Sequence, residues 1–369
     1  MQLLSLLVLN SAAAAAAAVV PTYPLTGGGS IPALAMGGQN FTGWFAAASS
    51  PGNPAMIQTF HGYGNGAILA PQIAAAGRAN VFVSTGIPCG CCGSDAAPGV
   101  MNASEANKLI NDELAQLNVK YVDLLLFHHR CNTTEETAAV WSALEAAKAA
   151  GRAHHIGVSN FNAHNLAELA KTATMPVEVL EAHFGVGVMD WEVMKYAEAH
   201  SIQPVSFSST SEASTDLTAF SPAVNAVATA HNISRFQTMY AYVKQHSIVV
   251  LSSFDPKHPS YLAEDLAIFD ITLTDDEMTA LDAVTSGVRT CPDCYTFECQ
   301  ACGQALIAAG CDVGPLHAGF LWGRSNPHGV ECMACAAKSE KSRAAIQRAC
   351  GGTARGETLE TMIPKACGI

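Results

Sequence analysis

The sequence predicts a (β/α)8 TIM barrel over residues 19–285, carried behind a leader over residues 1–18 and followed by a cysteine-rich extension over residues 286–369. Three observations predict it. From Tyr23 to about Val284, eight short apolar runs alternate with amphipathic helical stretches, the pattern of βα units around a parallel sheet. Several runs end in polar residues, at His128-His129, Ser159-Asn160, His183, Ser208-Ser209 and Ser252-Ser253. In a barrel, strand carboxyl ends converge on one face, where the chemistry is placed. Finally, Gly37-Gly38-Gln-Asn-Phe-Thr-Gly43 lacks the glycine spacing that an open doubly wound sheet requires after its first strand.

The leader is apolar from Met1 to Leu9 and alanine-rich to Ala18, which reads as a signal peptide cleaved near Ala18, although no basic residue precedes it. The alternative is an uncleaved anchor. The run approaches the ~20 residues that span a bilayer, but alanine favours insertion weakly and Asn10 interrupts it. An uncleaved leader is thus the one expected membrane contact. Sequons at Asn40, Asn102, Asn132 and Asn232, with thirteen cysteines, point to a glycoprotein that is secreted or held in an endomembrane lumen.

The expected strands are Ile31–Met36, Met56–Phe60, Val81–Thr85, Val122–His128, His155–Asn160, Val177–His183, Pro204–Ser208 and Ile248–Ser252. Ser104–Leu117 and Glu135–Ala150 carry helical periodicity, the second behind a capping box from Thr133 to Glu136. A second box, Thr274 to Glu277, opens the closing helix. With 49% hydrophobic and 14% charged residues, the chain can bury a large core. A net charge of -12 without a basic stripe argues against nucleic acid as a partner.

Cys89, Cys91 and Cys92 fall on the loop after the third strand, and nine further cysteines lie in the extension, where Cys291-Pro-Asp-Cys294, Cys299-Gln-Ala-Cys302 and Cys332-Met-Ala-Cys335 form C-x-x-C pairs. Behind a secretory leader, disulfides are the better reading and zinc the alternative, and no metal ligand is assigned. The odd cysteine count leaves one thiol free or paired in an intermolecular disulfide.

Gly151-Arg-Ala-His-His-Ile-Gly-Val-Ser-Asn-Phe-Asn162, Tyr121-Val-Asp-Leu-Leu-Leu-Phe-His128 and Pro176-Val-Glu-Val-Leu-Glu-Ala-His183 together resemble, in order and spacing, three successive units of the aldo-keto reductase family. Gly29-Ser-Ile-Pro-Ala-Leu-Ala-Met-Gly37 is similar to the family's opening strand, and Gln237 and Glu264-Asp265-Leu266 to its closing helices. The resemblance covers residues 23–284 or so. It implies reduction of small-molecule carbonyls by NADPH or NADH, with Tyr63 as proton donor and His128 as carbonyl orienter. It also implies that Ser159 and Asn160 hold the nicotinamide amide and that Phe207 stacks on the ring.

The chain departs from the family pattern at specific positions. The aspartate expected before Tyr63 is Gln58, and the lysine expected to depress the phenol's pKa is Gly86. Val179, Ser253, Phe254 and Tyr261 replace cofactor-side residues, Tyr261 standing where an arginine would face a 2'-phosphate. His61 or His129 is the candidate substitute for the missing positive charge, with a solvated strand end the alternative for His129. The rival reading of the whole is a pseudoenzyme, a catalytically inactive barrel serving as a secreted binding or assembly module.

Overall fold

In a computed structural model, the described residues are 20–38, 41, 43–50, 52–89, 101–131, 133–210, 221–253 and 258–284. The expected leader, the cysteine-rich extension with its C-x-x-C pairs, Cys91, Cys92, Phe254, and the sequons at Asn40 and Asn132 lie outside them.

Eight parallel strands close a barrel: β3 (Leu34–Gly37), β4 (Ala55–Gln58), β5 (Val81–Ile87), β6 (Val122–Phe127), β7 (Ala153–Ser159), β8 (Val179–Ala182), β9 (Gln203–Ser206) and β10 (Val249–Ser253), with β10 pairing back to β3. Side chains alternate across each strand. One set, including Met56, Phe82, Leu124, Leu126, Val179, Val205 and Val249, fills the barrel interior. The other set, including Ile57, Val83, Leu125, Phe127 and Val158, packs outward in the second core with residues of the surrounding helices, such as Ile110 and Val140.

The expected first strand divides in two. Pro32 has no N–H for a ladder, and the chain uses β1 (Thr22–Pro24) and β2 (Ser30–Pro32) as an antiparallel hairpin before β3 begins. A Cβ on Gly27, in the turn of this hairpin, would meet Glu178 Oε2 at 2.0 Å. Glu178 is held in turn by Lys148 Nζ (2.5 Å) and His155 Nδ1 (2.8 Å).

Helices α1 (Trp44–Ala48), α2 (Gly66–Ala76), α3 (Ala103–Gln116), α4 (Thr134–Ala149), α5 (Ala163–Ala170), α6 (Trp191–Ala199), α7 (Ser221–His231), α8 (Arg235–Gln245), α9 (Pro259–Ala267) and α10 (Asp275–Asp282) follow their strands. The Thr274–Glu277 box forms in full. At α4, Thr133 accepts from Glu136 N (3.1 Å), but the Glu136 carboxylate takes a hydrogen bond from Met101 N (3.2 Å), tying α4 to the start of α3.

Cys89, just past β5, is bonded to Cys131, just past β6, with their Cα atoms 5.3 Å apart. Both cysteines are buried. The bridge fixes the carboxyl ends of neighbouring strands against each other. Among the described residues, no helix is long and apolar enough to cross a membrane.

Candidate active site

The turn after β4 presents Tyr63. His61 N donates to Gly86 O (2.8 Å), Tyr63 N donates to Phe60 O (3.1 Å), and Gly62 takes φ 94, a left-handed conformation that a side chain would strain. Thr59 Oγ1 donates to Asn65 Oδ1 (2.7 Å) and Asn65 Nδ2 to Gly38 O (3.2 Å), which ties the turn to the end of β3. The Tyr63 side chain is 55% exposed at the barrel mouth.

His128 continues β6, its N–H donating to Ile87 O (3.0 Å). Its ring meets Tyr63 edge-on, with centroids 6.0 Å apart and planes at 76°. Phe60 lies flat on His128, at 3.8 Å and 15°, and also meets Tyr63 edge-on at 5.6 Å, while His129 packs against His128 at 4.1 Å. Burial, followed by the neighbouring His129, holds the His128 imidazole far below its ordinary pKa, and burial takes His129 down to about 3. Both rings are therefore neutral at physiological pH. This corrects both expectations for His129: it is neither a solvated strand end nor a source of positive charge.

Phe60 also explains Gly86. A Cβ at position 86 would lie 2.4 Å from Phe60 Cε1 and 2.5 Å from the Leu126 carbonyl oxygen. The aromatic ring thus occupies the volume a lysine stem would need, and no ammonium approaches Tyr63 from this strand. Desolvation, followed by the charge of Glu181, raises the Tyr63 phenol above its ordinary value. Gly86→Ala is expected to cost about 1–3 kcal/mol through overpacking. The double variant with Phe60→Ala should be less destabilised than the sum of the singles but should not recover fully, because the Leu126 carbonyl is backbone. Denaturant midpoints of the four proteins measure this; a Gly86→Ala protein as stable as its parent would refute the close approach.

Ser159 ends β7 and Asn160 follows it. Asn160 adopts φ 62 and its Nδ2 donates to His128 O and to Ser159 Oγ, each at 3.0 Å, so this pair is wired to the His128 segment. Neither caps a helix, the alternative their residue types suggest. The cap of α5 is Asn162, accepting from Asn165 N at 2.8 Å. Phe207 follows β9, with its ring at 5.7 Å and 25° from His183. All five expected site residues therefore sit at strand carboxyl ends. Tyr63, His128, Ser159 and Asn160 form one connected group, while Phe207 stands two strands round from β7.

Three groups that the sequence reading missed complete the site. Phe60 is the first. Glu181, on β8 beside Ser159 in register, is 3% exposed, accepts from Ser159 Oγ (3.3 Å) and is pushed up to about 8 by burial. Ser84 faces the same interior from β5, in register with Gln58. The signal for Glu181 was the strand period: it stands two residues from Val179 and from His183, and Val179 faces inward.

Comparison with known proteins agrees with this geometry. The model of the aldo/keto reductase family matches residues 62–286. An aldo-keto reductase of Mycolicibacterium vanbaalenii is 28% identical over 244 residues, covering 66% of this chain and 82% of the relative. The morphine 6-dehydrogenase of Pseudomonas putida is 28% identical over 294 residues, covering 74% and 94%. Among solved structures, an aldo-keto reductase from a Medee basin deep-sea metagenome library superposes with a TM-score of 0.63 at 21% identity, covering 72% of this chain and 96% of that one. A Bombyx mori aldo-keto reductase in complex with NADP gives 0.61 at 18% identity, covering 73% and 94%. The chain, with its closed eight-stranded barrel, belongs to the aldo/keto reductase family.

Proposed function

We propose that the barrel is an oxidoreductase that reduces small-molecule carbonyls with a nicotinamide dinucleotide. The observation that carries this reading is the meeting of Tyr63 and His128 rings beside Ser159 and Asn160 at the catalytic face. When bound, the dinucleotide supplies hydride to the carbonyl carbon. Neutral His128 orients the carbonyl by donating a ring N–H, and the Tyr63 hydroxyl donates the proton to the oxygen as charge develops there.

The residues fit the nicotinamide end of the cofactor: Ser159 and Asn160 are polar, positioned and not spent on a helix cap, and Phe207 offers an aromatic face. They do not fit a 2'-phosphate. Tyr261, where a cation would be wanted, is exposed and stacked on His258 at 4.9 Å. Among the described residues, the charge-assisted hydrogen bond of about 1.5–3 kcal/mol that a cation at 261 would make is missing, and NADH and NADPH should bind with affinities within about tenfold of each other.

A fluorescence titration of the oxidised protein with each dinucleotide tests the reading. Saturable binding supports it, and an aldehyde screen should then find Tyr63→Phe about a hundredfold slower with dinucleotide binding unchanged. Binding of neither dinucleotide refutes it and leaves the barrel as a non-catalytic module.

The protein is further read as a secreted or lumenal glycoprotein. The buried Cys89–Cys131 bridge supports this, as do the exposed positions of Asn102 and Asn232. Asn102 uses Oδ1 to cap α3, leaving its Nδ2 for a glycan. A mass decrease on glycosidase treatment of the secreted protein is expected, and an unchanged mass would count against glycosylation.

A further inference from the structure

Helix α10 is the last described element before the cysteine-rich sequence. Leu281 is its buried apolar side chain, with Met278 partly buried beside it. So little apolar burial holds a two-turn helix weakly. Its other attachments are two carboxylates, each meeting a histidine of a neighbouring helix. Glu277 takes His231 Nε2 between both its oxygens, at 3.0 and 2.9 Å. Asp282 Oδ1 meets His246 Nε2 at 3.0 Å and accepts from the Tyr242 hydroxyl at 2.8 Å. Glu277 lies in the first turn of α10 and Asp282 is its last residue, so the two contacts hold opposite ends of the helix.

Both histidines stand where positive charge is favoured twice over. His231 is the last residue of α7 and His246 is the C-cap of α8, and the carboxyl end of a helix carries partial negative charge. The facing carboxylate adds to that. Imidazole is the side chain that ordinarily changes charge between about pH 5 and 8. Charged, it forms an ion pair with the carboxylate; neutral, it forms only a hydrogen bond.

The other charged groups on the elements packed here are Asp275 and Asp276 in the first turn of α10, Arg235 and Lys244 on α8, Glu264 and Asp265 on α9, and Asp270 just after it. Lys244 Nζ is engaged by the carbonyls of Ile268 and Ile271. Among the described residues, no lysine or arginine pairs with Glu277 or Asp282, so the histidines are their cations. The Thr274 N–H, and with it His231, holds the Glu277 carboxyl below its ordinary pKa, which keeps the carboxylate charged in mildly acidic solution.

We propose that α10 is a pH-controlled latch: in mildly acidic solution His231 and His246 clamp its two ends, and in neutral solution the clamp loosens. The sign follows from the partners. Contacts that favour imidazolium stabilise the docked helix at low pH, and that stabilisation is lost as pH rises and the rings lose their protons. The latch thereby couples acidity to how firmly the barrel holds the end of the chain that leads into the cysteine-rich sequence. It lies on helices α7, α8 and α10 and does not depend on carbonyl reduction.

Hydrogen exchange of the full-length oxidised protein at pH 5.5 and 7.5, corrected for the intrinsic pH dependence of exchange, tests the latch. Protection of the α10 amides should fall about fivefold between the two, two exposed ion pairs each contributing a factor of two or three. His231→Gln and His246→Gln keep a polar side chain without the charge. Each should remove about half of the fall, and the double variant should abolish it, with protection at both pH values equal to that of the parent at pH 7.5. A second readout needs no loss of a histidine from α7. The Trp191 ring stands edge-on to His246 at 5.3 Å, so its emission, taken as the difference from Trp191→Phe, should rise as the imidazolium loses its proton and should cease to titrate in His246→Gln. Equal α10 protection at both pH values in the parent, a fall that survives in the double variant, or a Trp191 titration that His246→Gln leaves intact overturns the latch.

Discussion

Between pH 6.5 and 8.5 the folded protein is expected to lose about 2 kcal/mol of stability, the reverse of what surface carboxylates produce. Burial raises Glu113 to about 7, Glu181 to about 8 and Asp265 to about 6. An acid whose folded pKa lies above its unfolded value keeps a proton that the unfolded chain has released, so stability falls as pH rises between the two values. Asp265 has completed this change below pH 6.5, so Glu181 and Glu113 carry the loss above it.

The buried histidines act in the opposite sense at lower pH. His128 and His129 stay neutral when folded, whereas the unfolded chain protonates them below about 6.5. Stability should therefore be greatest in mildly acidic solution. Urea unfolding at a series of pH values measures the curve, and Glu181→Gln combined with Glu113→Gln should flatten its alkaline side. Equal stability at pH 6.5 and 8.5 in the parent protein would show that these carboxyls are ionised when folded.

Removing the bridge by Cys89→Ala/Cys131→Ala should cost about 4 kcal/mol. The bond closes a loop with a sequence separation of 42, and releasing it returns the corresponding chain entropy to the unfolded state. The local consequence should be felt at the site, because the bridge lies just beyond both Gly86 and His128 on adjacent strands. Guanidinium midpoints of the oxidised proteins test the cost, and hydrogen exchange of the His128 and His129 amides tests the loosening. A midpoint that does not move would mean that the strand pairing alone fixes this edge.

The eight strands were legible because barrel strands are buried on both faces and read as apolar runs with polar ends. Ile31–Met36 misled because one apolar run holds two strands, separated where Pro32 cannot donate. The Thr133–Glu136 box was half right, since a competing donor, Met101 N, lies far away in sequence. The placement of Tyr63, His128, Ser159, Asn160 and Phe207 at the strand carboxyl ends was legible through motif and strand-end position. Phe60 was not: it reads as one more apolar residue of its strand, and its contact with position 86 exists only across the β4–β5 register. Cys131 was hidden similarly, as a lone cysteine whose partner only the fold reveals.

The ring that fills the space at Gly86 makes the present site difficult to undo. A side chain at 86 and the Phe60 ring cannot occupy the same volume, so any single step back toward a lysine meets a clash before it gains an ammonium. A smaller residue at 60 must come first, at the cost of a cavity against His128. The order of changes is thus constrained in both directions: a side chain at 86 is accommodated only after the ring at 60 has been reduced, and a reduced ring at 60 leaves a void until 86 is filled.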